Sequence, residues 1–163
     1  MPAIEMFVSL KVPDNVAITA FNTIKRMGFK ELKGLEKSDY YKFEINDDAE
    51  GFKKKISNVD ILVNANKHKC SFELDSNKKN KNNFKNQKNK DKNINVLVQD
   101  IDNGTGLLST LKERLGFTNI KNLEKGILWT THFDKKANAK KIAVDIAKSL
   151  LMNEHFQRFR IIK

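Results

Sequence analysis

One thiol, three imidazoles and a Gly-Thr-Gly step are the residues of this chain whose types could do chemistry. Cys70 could serve as a nucleophile if a base stood beside it. It lies in phase with Phe72 and Leu74 in an alternating stretch, however, which makes it a small hydrophobe of a strand. His68 and His155 flank the last strand of their segments at loop-like positions, and His132 falls within a strand; none stands at ligand or general-base spacing from another. Gly104-Thr105-Gly106 precedes a helical pattern and so resembles a phosphate cradle, but the Lys and Ser/Thr of a P-loop do not follow it. Trp129, Tyr40 and Tyr41 read as packing residues, and Arg158 with Arg160 as one exposed or contact-making strand face. No residue is assigned a catalytic, cofactor-binding or metal-binding role, and no activity is expected of the isolated chain.

The elements that carry these residues follow from hydrophobic period. Ile4, Met6, Val8 and Leu10 alternate with Glu5, Phe7, Ser9 and Lys11, the pattern of a half-buried strand. Pro13, with Asp14 and Asn15, ends it. Val16, Ala20, Ile24 and Met27 then mark the stripe of an amphipathic helix that Gly28 closes as a left-handed cap, with Phe29 folding back into the core. Leu32, Leu35, Tyr41, Phe43 and Ile45 form an extended stretch, either one kinked strand or a hairpin. Asp47 or Asp48 caps a second helix with the stripe Phe52, Ile56, Val59 and Val63, and Cys70, Phe72 and Leu74 close the segment.

The same order returns after residues 75–93, DSNKKNKNNFKNQKNKDKN. Ile94, Val96 and Val98 read as a strand; Leu107, Leu108, Leu111 and Leu115 as a helix stripe ending at Gly116-Phe117; Ile120 to Phe133 as the bent strand with Gly126 at the bend. Ala139, Ile142, Ala143, Ile146 and Leu150 mark the next helix, and Phe156, Arg158, Arg160 and Ile162 the closing strand, alternating with Phe159 and Ile161. Met27-Gly28-Phe29 and Leu35-Glu36-Lys37 recur as Leu115-Gly116-Phe117 and Leu123-Glu124-Lys125 at a shift of 88. Ile61-Leu62-Val63-Asn64 echoes Leu150-Leu151-Met152-Asn153 at 89. Two copies, 1–74 and 94–163, are too long and too few for a solenoid and read as tandem domains. The fold class expected is α+β, each copy a small, mainly antiparallel sheet with two helices on one face.

Between the copies, residues 75–93 hold seven Lys and seven Asn with Phe84 as the one large apolar side chain, too little to offset the entropy of ordering. The stretch reads as a disordered tether. Units of about 70 residues build only a marginal core. A single cysteine excludes disulfides within the chain, so association with the tethered twin is the expected source of stability. Net charge is +11, of which +1 falls in 1–74, +5 in the tether and +5 in 94–163. A nucleic-acid role for the basic tether is a minor alternative, since aromatic residues do not interleave its lysines. No apolar run approaches the roughly 20 residues of a membrane span, and MPAIEMFVSL lacks the basic start and long apolar core of a signal peptide. A soluble, cytoplasmic protein is expected.

Val8 to Lys11 (VSLK), the helix ending at Met27-Gly28-Phe29, the bent strand from Leu35 to Ile45 and the closing ILVNANKHKCSFEL, Ile61 to Leu74, together resemble PurS, the small subunit of phosphoribosylformylglycinamidine synthase (formylglycinamide ribonucleotide amidotransferase). The second copy, through SLLMNEHFQRFRI at Ser149 to Ile161, is similar to it too. The resemblance implies a non-catalytic subunit that works as a dimer in de novo purine biosynthesis. Such a subunit bridges a large ATP-dependent synthetase and a glutaminase and assists ammonia transfer, with ATP and magnesium held by the synthetase partner. This chain then looks like a PurS dimer made covalent, its two copies pairing with each other. A stand-alone tandem module for a small ligand is the alternative.

Overall fold

The computed structural model describes residues 2–73, 92–101, 105–133 and 138–162. It is an α+β fold in which β1 (Ala3–Leu10), α1 (Asn15–Arg26), β2 (Leu32–Ile45), α2 (Ala49–Ile56) and β3 (His68–Ser71) are followed by β4 (Lys92–Asp100), α3 (Thr105–Glu113), β5 (Ile120–Phe133), α4 (Ala139–Ile146) and β6 (Gln157–Ile162). Residues 75–91 of the expected tether, Phe84 among them, lie outside the described residues. Lys92 and Asn93 do not belong to the tether: β4 begins at Lys92, where its backbone pairs with Phe133.

Instead of two small sheets, the strands form one six-stranded antiparallel sheet in the order β3-β1-β2-β5-β4-β6. The extended stretches in each half are single strands of 14 residues, which settles the choice between a kinked strand and a hairpin. They pair along their whole lengths, from Leu32↔Phe133 to Ile45↔Ile120. Asp39 faces Ile127, the residue 88 positions on, so the offset relating the two strands maps this pair onto itself and marks a local twofold axis. The closing loops also match. Asn64 N–H donates to His68 Nδ1 at 3.0 Å, and Asn153 N–H donates to Gln157 Oε1 at 2.9 Å.

Sequence dictates the helix ends. The Asp14 carboxylate accepts from the amides of Val16 and Ala17, at 2.9 and 3.3 Å, satisfying two of the donors orphaned at the start of α1. Gly28 and Gly116 stop the two first helices in left-handed backbone, φ +101° and +75°, a region that costs a side-chain-bearing residue about 1–2 kcal/mol. The expected stripe of α1 holds at Ile24, which is buried, and at Ala20, which is half-buried, but Ala17 is buried in place of Val16, and Val16 and Met27 are largely exposed. In α3 only Leu111 is buried, and Leu115 lies outside. After α4 the chain makes a π-helical turn, Ala147–Leu151, and the extra residue rotates Leu151 into the core in place of Leu150. Phe156 precedes β6 and is exposed.

Helix-side strand residues build two cores, and the halves share both. Ile4, Met6, Val8, Phe43, Phe52 and Ile56 of the first half close around Leu111, Ile120 and Leu123 of the second. Conversely Val96, Val98, Trp129, Phe133, Ala143 and Ile146 of the second half close around Ala17, Ile24 and Leu32 of the first. The first helix of each half therefore crosses to the other's core, and neither half buries its apolar surface without the other. Phe29 and Phe117, expected in the core, are half-buried at the rims of these two clusters. A smaller cluster of Phe7, Tyr40, Leu97 and Leu128 lies on the opposite face of the sheet.

Candidate functional site

On the face away from the helices, the staggered strands leave two notches. β1 pairs with β2 as far as Val8↔Asp39 and then turns away, while β4 pairs with β5 as far as Val98↔Ile127 and then turns away. The next residues on these strands are Ser9 beside Ser38 in one notch and Gln99 beside Gly126 in the other.

The second notch is filled. Gln99 is buried, and its amide donates to Glu124 Oε2 at 3.5 Å; the Arg160 guanidinium stands 3.7 Å from the same oxygen. Gly126 makes the room, since a Cβ there would stand 2.6 Å from the Val98 carbonyl oxygen and 2.9 Å from Gln99 Cγ.

The first notch is open. Its residues border a groove of about 810 Å³ that also reaches Lys69, Ser71, Thr130 and His132. Strand alternation puts these groups on one face: Ser9 pairs with Lys69, Glu36 with Thr130, and Gly34 with His132. Glu36 is the counterpart of Glu124 at the shift of 88, but His132 replaces Gln99 and Arg160 as its partner, with Nε2 3.7 Å from Glu36 Oε2. A hydrogen bond from His132, helped by the nearby Lys69 charge, holds the Glu36 carboxyl below its usual range against some desolvation. The other ring nitrogen of His132, Nδ1, lies 2.7 Å from Asn93 Oδ1, and Thr130 Oγ1 donates to Asn95 Oδ1 at 2.8 Å. Thus the far wall is locked, while the Ser9 and Ser38 hydroxyls border open space. The arrangement can bind by hydrogen bonds and charge.

Of the residues singled out in the sequence, His132 and Cys70 meet at this groove. Cys70 sits half-buried at the edge of the first core, where burial pushes its thiol above the usual range, so it is a weak nucleophile. His68 is elsewhere, its Nδ1 accepting from the Asn64 amide, which puts the ring proton of the neutral form on Nε2. His155 is exposed beside Phe156. Thr105 and Gly106 open α3 and Thr110 Oγ1 donates to the Gly106 carbonyl at 3.0 Å, while Gly104 lies outside the described residues. Arg158 and Arg160 are exposed on the groove side of the sheet, but in the filled half. Trp129 is buried in the second core. Tyr40 is buried on the groove face, its hydroxyl 3.4 Å from Glu5 Oε1; burial first, and then the Glu5 charge, push it far above the usual phenol range.

Ser9, Glu36 and Ser38 were not marked as site residues in the sequence, although Glu36 lies in the repeated Leu-Glu-Lys step. The signal available was the contrast with their counterparts: short Ser9 against long Gln99 at matching strand positions. Among the described residues no group of three His, Cys, Asp or Glu side chains could hold a metal ion, and no helix is long and apolar enough to cross a membrane. Compared with known proteins, the chain matches no family model and no curated protein.

Proposed function

We propose that this chain is a PurS-like subunit of phosphoribosylformylglycinamidine synthase, a tandem duplication that supplies both members of a PurS pair. It is a non-catalytic part of a glutamine-dependent C–N ligase, bridging the ATP-dependent synthetase and the glutaminase and assisting ammonia transfer between them. The observation that supports this reading best is the pairing of two like-ordered halves along β2 and β5, with each first helix in the other half's core. A subunit that works as a pair gains from such fusion, because linking two halves gives an effective concentration on the order of millimolar. The test is reconstitution. Purified synthetase and glutaminase subunits from the same source, with ATP and magnesium, should form a stable complex and show glutamine-dependent amidine formation only when the chain is added. One chain should enter per synthetase, read by native mass spectrometry, and the chain alone should hydrolyse neither glutamine nor ATP. Failure to form the complex removes this reading.

The open groove beside Ser9 and Glu36 favours a second reading, a small-ligand binding module.

A further inference from the structure

The filled notch shows what the open one lacks. Gln99 and Arg160 bring a carboxamide and a guanidinium to Glu124. Their counterparts in the first half are Ser9 and Ser71: Ser9 and Gln99 each follow the last paired residue of their strand, while Phe7 pairs with both Tyr40 and Ser71 as Leu97 pairs with both Leu128 and Arg160. Two long planar-donor side chains in one notch are thus replaced by two hydroxymethyl groups in the other. The carboxylate they served is retained as Glu36, held in its charged form, at the edge of a groove of about 810 Å³.

We propose that the Ser9–Glu36–Ser38 notch binds a ligand group that ends in a planar N–H donor, a guanidinium or a primary carboxamide on a short flexible chain, with Glu36 as its acceptor. The carboxylate presents two oxygens to a planar donor, a fit that a compact ammonium does not match. Ser9 and Ser38 flank the chain of the ligand where the stem of Gln99 runs in the filled notch. Lys69 already stands near Glu36, so its like charge weakens the guanidinium relative to the neutral amide. This assignment rests on the small-ligand reading of the groove and is independent of the subunit reading.

The experiment uses the whole chain with four N-acetyl amino-acid dimethylamides, of arginine, glutamine, lysine and norleucine, whose caps carry no primary carboxamide, as probes in calorimetric or NMR titration. The arginine and glutamine probes should bind, and the lysine and norleucine probes should bind about tenfold more weakly or not at all, the factor that one hydrogen bond to a charged group supplies. Glu36→Gln should weaken the planar probes by about tenfold or more, whereas Glu124→Gln should not change them. The double variant Ser9→Gln with Ser38→Gly reproduces the Gln99–Gly126 pair that fills the second notch and should abolish binding while keeping the melting temperature at or above that of the native chain. Equal binding of the lysine and arginine probes, lost in the double variant, overturns the planar-donor assignment but leaves a ligand site. No binding of any probe, or binding that persists in the double variant, overturns the site itself.

Discussion

The two notches of this sheet share a backbone and a glutamate and differ at three positions around it. Where the second half has Gln99, Gly126 and Arg160 around Glu124, the first has Ser9, Ser38 and Ser71 around Glu36. In the second half the space is spent on packing within the chain; in the first it is left as a groove. Strand order, register and the capping glycines Gly28 and Gly116 are common to both halves, so those features carry the scaffold, and the notches are where the halves differ.

The comparison breaks most severely if the halves are separable, and the crossed cores make a specific demand. Phe52 lies in the first half, 4% exposed, with its ring centroid 5.3 Å from that of Phe43 and 6.0 Å from that of Phe117 in the second half. Phe52→Ala should cost about 3–5 kcal/mol. The diagnostic is where the loss is felt: Trp129, the single tryptophan, sits in the other core. Its fluorescence transition should shift with the far-ultraviolet circular dichroism transition by the same amount. A Trp129 transition left in place would show two independent domains.

The next effect tests the notches directly. Gly126→Ala places a Cβ 2.6 Å from the Val98 carbonyl oxygen, backbone that cannot swing aside, and should cost about 1–3 kcal/mol by overpacking. At the matching position of the open notch, Ser38→Ala should be within about 0.5 kcal/mol of native. Chemical denaturation of the two variants measures the contrast, and equal costs would mean that the notches are packed alike.

Much of this scaffold was legible in sequence because it rests on local chemistry. Gly28 and Gly116 stop helices for want of a Cβ, Asp48 caps α2 by its carboxylate, and alternation set the buried face of β1. What could not be read was long-range. The merging of two sheets depends on β2 meeting β5, two strands whose polar residues Lys37, Ser38 and Asp39 gave no sign of burial at a sheet centre. Because the surface that α1 covers belongs partly to the other half, Ala17 turns inward in place of Val16 and Met27 stays outside, while Ile24 is buried as its period predicts. The groove was invisible for a related reason: it is defined by short side chains, and a serine in an alternating strand announces nothing until its counterpart is a buried glutamine.

A smaller effect sharpens the symmetry where it holds. Phe29 and Phe117 each follow a capping glycine, and each lies half-buried on the core of the opposite half, Phe29 with Trp129 and its neighbours, Phe117 with Phe52. Full burial would put truncation at about 3–5 kcal/mol; half-burial lowers the expected cost of Phe29→Ala and of Phe117→Ala to about 2 kcal/mol each. The two should match within about 0.5 kcal/mol in urea denaturation, and they should add in the double variant, since one side chain touches each core. A large inequality would mean that the two rims are not equivalent.

The smallest effect appears only at alkaline pH and again distinguishes the halves. Tyr41 packs at the edge of the first core, where burial, and after it the Asp39 carboxylate, push its phenol up to about 12. Its counterpart 88 residues on is Trp129, which does not titrate. In the unfolded chain the phenol ionises near 10, so between about pH 10 and 12 the unfolded state releases a proton that the folded state keeps. Stability from this group is therefore complete below about pH 10 and is lost as pH rises through about 12. Tyr41→Phe keeps the ring and removes the proton. It should be near native at pH 7 and should lose less stability than the native chain between pH 9 and 11.5, by on the order of 1 kcal/mol after discounting for the partial exposure of the ring. Lysine titration falls equally on both proteins and cancels in the comparison, and Tyr40, also raised by burial, leaves a residual slope in both. Guanidinium midpoints of the two proteins across this range give the test: curves that coincide at pH 7 and diverge as pH rises place the alkaline sensitivity at Tyr41, and parallel curves place it elsewhere and remove this difference between the halves.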